Sequence, residues 1–464
     1  MPELLDAEDR LLGTLRGLEA HAPFVEIVAE RSHGDSVRLD RTSVSPRVFP
    51  RLEGAALRAW AGDHWAEVAS SGFSAASLHE AADALVRLLP EGAHARAAPG
   101  TSTVGNESNT RSPPKPMDDL STEDRIALAK DWYAWATTVP GVPNTNVSMG
   151  FSADERLYLN TAGGRRHQRI SRVFASVVPI AIEGGRIQYD ALVRGAMGGR
   201  EVLDFFTEER VQEVAKGARA MLTAQAPPSG SNAVLMDPST AGTFAHESFG
   251  HGTEADQFVR ERSYLRPILG RTVGPEFLTI VDDGSYPGGW GGIHFDDEGK
   301  ASQKNLLVDH GRFVGVLHDR VSAAILGGVP TGNARRADFL SREFVRMTNT
   351  YVEPGDWTFE ELVQEAQDGI LLERCTSGIE DPLGGQMQIK VLRGHRIEHG
   401  EVTTLLSSMA LSGRVLDVLH ATRGVSGAAD FEISPGYCGK GHSDLLPAGT
   451  GGPYLLTRAA VGPA

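Results

Sequence analysis

Cysteine is nearly absent from this 464-residue sequence, which contains only Cys375 and Cys438. Two cysteines in a chain of this length cannot supply a disulfide framework, so other forces must hold the fold together. Long apolar runs are absent too. The longest, Val173 to Ile182, is interrupted by serine and proline and is far shorter than the roughly 20 residues of a membrane-spanning helix. The sequence therefore predicts a protein without membrane spans.

An excess of positive charge is also missing, because 60 acidic residues outnumber 45 basic ones and give a formal net charge of −15. Such a protein repels phosphate backbones and anionic lipid surfaces, so direct binding of nucleic acid or of a membrane is disfavoured. The N-terminal segment MPELLDAEDRLL lacks the basic and then apolar order of a secretory signal. We therefore expect a cytoplasmic protein.

The composition is that of a globular protein, with 41% hydrophobic and 23% charged residues, and the chain is too long for one hydrophobic core. Its patterns predict an α+β fold with two small N-terminal units, an α+β domain over residues 1–95 and a central α+β domain over 118–226. A Gly-, Ser- and Pro-rich flexible linker, 96–117, separates them. Residues 227–464 are predicted to form a glycine-rich, strand-rich domain that carries the helix described next.

The segment AHESFGHG, residues 245–252, places His246 and His251 five positions apart, with Glu247 directly after the first. On a regular α-helix this spacing rotates the two imidazoles apart by about 140°. They can meet one metal ion only if the helix widens into an i→i+5 turn or breaks there, which the glycines on either side of His251 permit. The alternative is that both histidines are hydrogen-bonded core residues and Glu247 is an exposed charge.

A catalytic zinc site needs three protein ligands and one open position, so a third ligand must come from elsewhere. Cys438 is the best candidate, because it lies in the glycine-rich segment PGYCGKG, where Lys440 would favour the thiolate. Cys375, in ERCTSG, lacks that setting, and His442 is a weaker rival ligand. For a lone cysteine the alternative is a small buried hydrophobic side chain.

Two further groups of residues are candidates for a functional role. The acidic run Asp296-Asp297-Glu298 lacks the spaced ligands of a calcium loop and is predicted to be a solvated turn. Asn333 and Arg346 could stabilise an oxyanion, but buried structural hydrogen bonds are the favoured role for both.

At several points the sequence resembles the TldD/PmbA family of metalloproteases, in particular its TldD-like catalytic branch. The resemblance covers nearly the whole chain apart from the linker. Its motifs are HESFGHGTEAD (246–256), VDDGSYPGGWG (281–291), DDEG (296–299), PTGNARR (330–336), RMTNTYVEPGD (346–356) and CGK (438–440).

The resemblance implies a zinc protease acting on unfolded or extended peptides, in peptide maturation or degradation. His246, His251 and Cys438 then correspond to the metal ligands and Glu247 to the general base. It also implies a PmbA-like partner subunit that lacks the metal motif, with a homodimer as the other possibility. A non-catalytic peptide-binding subunit of such a complex is the alternative function.

The sequence departs from the family at two places. After Cys438-Gly439-Lys440 it continues Gly441-His442-Ser443, where the family has an acidic residue, Gly and Gln. The family's GGGQVD segment appears as LGGQMQ, residues 383–388, without the aspartate. Neither change touches an expected ligand, but both leave the substrate preference open, with a specialised peptide as one alternative.

Overall fold

The computed structural model describes residues 4–61, 64–90, 104–440 and 443–464. It combines helices with several β-sheets, as the α+β prediction requires. The first part of the chain forms α1 (Glu8–Leu18), β1 (Phe24–Leu39), β2 (Val44–Ala61), β3 (His64–Ser71), α2 (Ala75–Leu88) and β4 (Asn106–Asn109). The next part forms α3 (Thr122–Thr137), β5 (Asn144–Asn160), β6 (Arg165–Glu183), β7 (Arg186–Tyr189), β8 (Leu192–Met197) and α4 (Glu208–Ala220).

These strands form one sheet in the order β3-β2-β1-β5-β6-β4, with β7 and β8 also paired to β6. Strand β5 alternates between buried and more exposed positions along most of its length, as expected where one face of a sheet covers a core. The segments on the two sides of the predicted linker therefore share a sheet. Part of the linker itself, Asn106–Asn109, is the edge strand β4, paired in parallel with β6, while residues 96–103 lie outside the described residues.

The remaining residues contain the other helices and strands. They are β9 (Gly230–Met236), α5 (Pro238–Ala245), α6 (Ala255–Val259), β10 (Ile280–Asp283), β11 (Lys304–Asp309), β12 (Arg312–Phe313), α7 (Arg320–Leu326), β13 (Ala334–Arg335), β14 (Phe344–Val345), β15 (Asn349–Val352), α8 (Phe359–Ala366), β16 (Gly369–Asp381), β17 (Gln386–Glu398), β18 (Glu401–Leu406), β19 (Met409–Arg414), α9 (Val415–His420), β20 (Gly424–Val425), β21 (Glu432–Lys440), β22 (Ser443–Gly452) and β23 (Leu455–Pro463).

Two sheets enclose the core of this region. One runs β16-β9-β23-β19-β17-β18, with β20 paired to β23, and the other runs β12-β11-β10-β15-β22-β21. Helix α5 packs against strands of both sheets. The fit is close, because a Cβ added at Gly242 of α5 would lie 2.3 Å from the backbone nitrogen of Gly451 on β22. The two sheets thus fix the position of α5 and of the residues that follow it.

A group of mostly buried charges joins the N-terminal sheet to the C-terminal region, and we call it the buried charge cluster. Its members are Glu26, Glu30, Arg58, Glu67, Arg156, Asp297, Glu298, Arg320, Arg336 and Glu343. The prediction that Asp296-Asp297-Glu298 forms a solvated turn is wrong, since the three residues are 2%, 2% and 1% exposed. Arginines compensate two of the charges and backbone N–H groups the third: Asp297 pairs with Arg156, Glu298 lies beside Arg320, and Asp296 accepts three backbone hydrogen bonds.

Along the parts of the chain that the structure describes, no helix has the length and apolar character needed to cross a bilayer.

Candidate metal centre

The first two candidate ligands lie where helix α5 changes its winding. Asp237 caps the helix by accepting from the N–H of Thr240, and Pro238 occupies the first turn. From His246 to Gly250 the helix becomes a π-helix, in which the N–H of His251 donates to the carbonyl of His246. A 3₁₀ turn, His251–Thr253, follows. Of the two alternatives that the spacing of the histidines left open, a break or an i→i+5 widening, the structure contains the widening.

The glycines in this turn serve close packing. Gly250 has φ −78° and ψ −75°, which other residues adopt too. A Cβ at Gly250 would lie 2.0 Å from the sulfur of Met347, and one at Gly252 would lie 2.7 Å from Leu265. Small residues thus let the widened turn sit against the core.

The wide turn and strand β21 bring the three predicted ligands together. The rings of His246 and His251 are 5.1 Å apart between centroids and nearly perpendicular, and Cys438 Sγ lies 3.3 Å from His251 Nε2. One ligand atom from each of the three residues falls within a group whose members are all within 4.8 Å of one another. Arg346 holds the strand at this point by donating to the carbonyl of Cys438.

The electrostatics of the group favour a thiolate between imidazoles. Burial lowers the pKa of both histidines, but their neighbours together outweigh this effect. Cys438 and Glu247 raise the pKa of His246, and Cys438 and Glu254 raise the pKa of His251 well above its usual value. Burial raises the pKa of the Cys438 thiol, yet His246 and His251 hold that pKa well below its usual range. The sequence assigned the stabilisation of this thiolate to Lys440, whereas the structure places two imidazoles beside the sulfur.

The donor set fits a zinc ion. Zinc binds imidazole nitrogen at about 2.0–2.1 Å and thiolate sulfur at about 2.3 Å, so sulfur and nitrogen in a tetrahedral site lie about 3.6 Å apart, close to the separation seen here. His246 Nδ1 is buried and has no hydrogen-bond partner among the described residues. Two nitrogens and one sulfur leave one tetrahedral position for water or substrate.

A carboxylate that the sequence analysis did not single out supports His251. Glu254 Oε2 lies 3.3 Å from His251 Nδ1 and 2.9 Å from Lys440 Nζ, and Lys440 also bonds Asp256. Although burial alone would raise it, Lys440 and His251 lower the pKa of Glu254 to about 2. An ionised carboxylate at Nδ1 leaves Nε2, which faces Cys438, free to bind a metal. In the sequence, the position of Glu254 three residues after His251 was the signal that could have identified it.

Glu247 lines two cavities beside the ligand group. It is 8% exposed and lines a cavity of about 860 Å³ together with residues of β16 and β21, and a second cavity of about 360 Å³ that also contains His251 and Cys438. Strand β16 passes directly over it, because a Cβ at Gly378 would lie 2.7 Å from Glu247 Oε1. We call the smaller cavity the metal cleft.

Glu380, on the same strand, also lines the metal cleft and was missed by the sequence analysis. Both of its carboxyl oxygens are buried without a hydrogen-bond partner among the described residues. Burial raises the pKa of Glu380 to about 9; His251 opposes the shift, while Glu247 and Glu254 add to it. No local sequence signal marks this glutamate.

The other sequence candidates within the described residues contribute no ligand atom to the group of three. Cys375, whose pKa burial raises to about 12, lines the larger cavity and is not in the group of three. Asn333 donates to Asp282 and to the carbonyl of Arg346, so both Asn333 and Arg346 have the predicted structural role. His442 lies outside the described residues.

Comparisons with known proteins show that this chain is similar to metallopeptidases. Residues 229–461 match the family model described as PmbA/TldA metallopeptidase C-terminal domain, and residues 115–224 match that of the central domain. A metalloprotease of Methanocaldococcus jannaschii is 34% identical over 343 residues, which cover 74% of this chain and 75% of the relative. A zinc metalloprotease TldD homolog of Saccharolobus solfataricus is 29% identical, over 61% of this chain and 63% of its own.

Solved structures share the fold over almost the full length. TldE from Thermococcus kodakarensis superposes with a TM-score of 0.76 at 16% identity, covering 98% of this chain and 100% of its own. A putative modulator of a DNA gyrase from Thermotoga maritima gives 0.77 at 19% identity, with the same coverage.

Proposed function

Because this chain belongs to the TldD/PmbA family of metallopeptidases, we propose that it is a zinc peptidase that hydrolyses peptide bonds in unfolded or extended peptides. The observation that carries the proposal is the convergence of His246, His251 and Cys438 beside Glu247. Imidazole and thiolate are ligands that zinc prefers, and three of them leave a position open for chemistry.

In this proposal each residue has a distinct task. A zinc ion bound by the three ligands would polarise the peptide carbonyl and make a water molecule more acidic. Glu247 accepts a proton from that water as its oxygen bonds to the carbonyl carbon, and then delivers the proton to the leaving nitrogen as the C–N bond breaks. Glu254 and Lys440 keep the ring of His251 in the orientation and tautomer that ligation needs.

The preference for extended peptides is supported by strand edges around the larger cavity. Strand β16 pairs with β17 over most of its length but with β9 only over Gly369–Leu372. Strand β21 lies at the end of its sheet and pairs with β22. Both contribute side chains to the cavity beside Glu247. A peptide could add as a strand to either edge, gaining main-chain hydrogen bonds with modest sequence demands, and a folded protein could not.

A partner subunit, PmbA-like or a second copy of this chain, is part of the proposal. Large apolar side chains around the metal cleft support it, because Ile379 is 65% exposed and Tyr437 59% exposed. Leu445, 63% exposed, lies near Gly439. Exposed apolar groups gathered in one place are typical of contact surfaces.

The test compares wild type with Glu247→Gln, each purified alone and together with any PmbA-like protein encoded beside it. We expect near-stoichiometric zinc in both, measured by mass spectrometry of the metal, and cleavage of unfolded casein by wild type only. Equal cleavage by the variant would rule out Glu247 as the base. Zinc binding by a wild type that never cleaves would instead favour a non-catalytic peptide-binding subunit.

A further inference from the structure

One carboxyl group in the metal cleft has no task in the proposed mechanism. Glu380 is neither base nor ligand: it is absent from the group of ligand atoms that lie within 4.8 Å of one another, and its two oxygens have no hydrogen-bond partner among the described residues. A buried carboxyl without partners costs free energy in the folded protein. Such a group persists where a ligand supplies the missing partner.

Two close contacts fix where this carboxyl lies. A Cβ at Gly252, the residue after His251, would be 3.4 Å from Glu380 Oε1. Gly378, two positions earlier on β16, lies against Glu247. Since alternate residues of a strand share a face and two residues span about 6.6 Å, Glu380 lies on the face of β16 that covers Glu247, about two peptide residues further along the strand.

The charges around Glu380 determine what it can bind. His251 favours a negative charge on Glu380, whereas three carboxylates oppose it: Glu247 and Glu254, which line the same cleft, and Asp381, the next residue. Among the described residues that line the cleft the one lysine is Lys440, which is held by Glu254 and Asp256. A positively charged group from outside therefore gains a buried, charge-assisted hydrogen bond that a neutral or anionic group cannot.

We propose that Glu380 forms a subsite for a positively charged nitrogen of the peptide substrate, about two residues from the bond that is cleaved. The nitrogen comes either from the free α-amino group of the peptide or from a lysine or arginine side chain. The inference rests on the proposed peptidase function and names its substrate class: peptides that carry a positive charge close to the cleavage point.

The experiment measures binding without catalysis. One unstructured decapeptide, labelled with a fluorophore at its C-terminus, is made in four forms: with a free or acetylated α-amino group, and with lysine or norleucine near its N-terminus. Fluorescence anisotropy gives the dissociation constant of each for zinc-loaded Glu247→Gln protein. We expect a charged form to bind about tenfold more tightly than the acetylated norleucine form, the gain of one charge-assisted hydrogen bond.

In the double variant Glu247→Gln/Glu380→Gln we expect the four forms to bind equally. Adding Glu401→Gln instead, an exposed carboxylate on β18, leaves the preference intact. Loss of tight binding on acetylation assigns the α-amino group as the source, and loss on replacement by norleucine assigns the side chain. Glu380→Asp, which keeps a carboxyl group, retains part of the preference, and the zinc content of every variant confirms that it has folded.

Three results overturn the inference: no binding of any form, no preference in the Glu247→Gln protein, or a preference that survives Glu380→Gln. The outcome is separable from that of the proposed function. Failure of wild type to cleave casein counts against peptidase activity, whereas a preference independent of Glu380 counts against this subsite alone.

Discussion

The buried charge cluster and the metal cleft are both rich in ionisable side chains, yet they are built in opposite ways. In the cluster each carboxylate has an arginine within 4.0 Å, as with Glu26 beside Arg58 and Arg320, although single oxygens of Glu26, Glu30 and Glu298 accept no hydrogen bond among the described residues. In the cleft His246 Nδ1 and both oxygens of Glu380 have no hydrogen-bond partner among the described residues, and a cysteine lies against an imidazole.

The difference separates a structural use of charge from a chemical one. Groups that are paired inside the protein have little left to offer a ligand, and removing one partner mainly costs stability. Groups left unpaired beside a cavity cost stability in the free protein and gain it back when metal or substrate binds. Substitutions in the cluster should therefore change the free energy of unfolding, and substitutions in the cleft should change binding.

The largest expected effect is on stability, from Arg320→Met. Arg320 is 4% exposed, and Nη1 donates to Glu26 Oε2 at 2.6 Å while Nη2 donates to Tyr158. Removing it leaves buried carboxylates undercompensated, which costs about 3–5 kcal/mol. Urea denaturation measures the loss. Arg266→Met, which breaks a pair whose side chains are 42% and 75% exposed, should cost no more than about 1 kcal/mol. Equal losses of unfolding free energy in the two variants would contradict the distinction between buried and exposed ion pairs.

The next effect is on metal binding, from Cys438→Ser. This change removes the sulfur beside His251 Nε2, and zinc affinity should fall by more than the roughly 100-fold that loss of a supporting outer residue can cause. Competition with a zinc-binding dye measures it. Cys375→Ser is the control, since that sulfur lies apart from the ligand group, and should keep full affinity. Retention of tight zinc by Cys438→Ser would exclude the thiolate as a ligand.

A smaller loss of zinc affinity, about 10- to 100-fold, is expected from Glu254→Gln. The amide oxygen of the variant can still accept a hydrogen bond from His251 Nδ1. It lacks the negative charge of Glu254, which interacts with both His251 and Lys440. Asp256→Asn alters the other carboxylate on Lys440 without touching His251 and should change affinity less. If the two variants lose affinity equally, Lys440 rather than the contact with His251 determines the effect.

Features that depend on residues close together in the sequence could be predicted from it, whereas features that depend on distant residues could not. The five-residue spacing of His246 and His251 is local, and it limited the helix to a widened turn or a break, of which the structure contains the widened turn. Cys438 is 187 positions from His251, so its place in the site came from the resemblance to the family and from its glycine-rich setting. Glu380 reaches the cleft only through the path of β16, which no local pattern reveals.

The buried charge cluster shows the same limit more strongly. Three successive acidic residues are exposed in most proteins, and Asp296-Asp297-Glu298 was read in that way. Their burial depends on arginines such as Arg58 and Arg156, which belong to strands far away in the sequence. Only the packing of the N-terminal sheet on the C-terminal region brings these charges together.

Per pH unit, the smallest expected effect is on the pH dependence of stability, from Glu298→Gln in the cluster. Burial raises the pKa of Glu298 to about 8, although Arg320 and Arg58 oppose the shift. A carboxyl whose pKa is higher in the folded state than its unfolded value, about 4.3, binds a proton more tightly there. Its contribution is complete below that unfolded value and is lost as the pH rises towards 8.

Between pH 5 and 8 the variant should therefore lose less stability than wild type, by at most about 1.4 kcal/mol per pH unit for one proton. Urea denaturation at several pH values, with a chelator to remove the pH dependence of metal binding, measures the slope. Glu401→Gln, an exposed carboxylate, should leave it unchanged. An unchanged slope in Glu298→Gln would mean that the nearby arginines keep this carboxylate ionised throughout, and that the cluster is compensated more fully than its burial indicates.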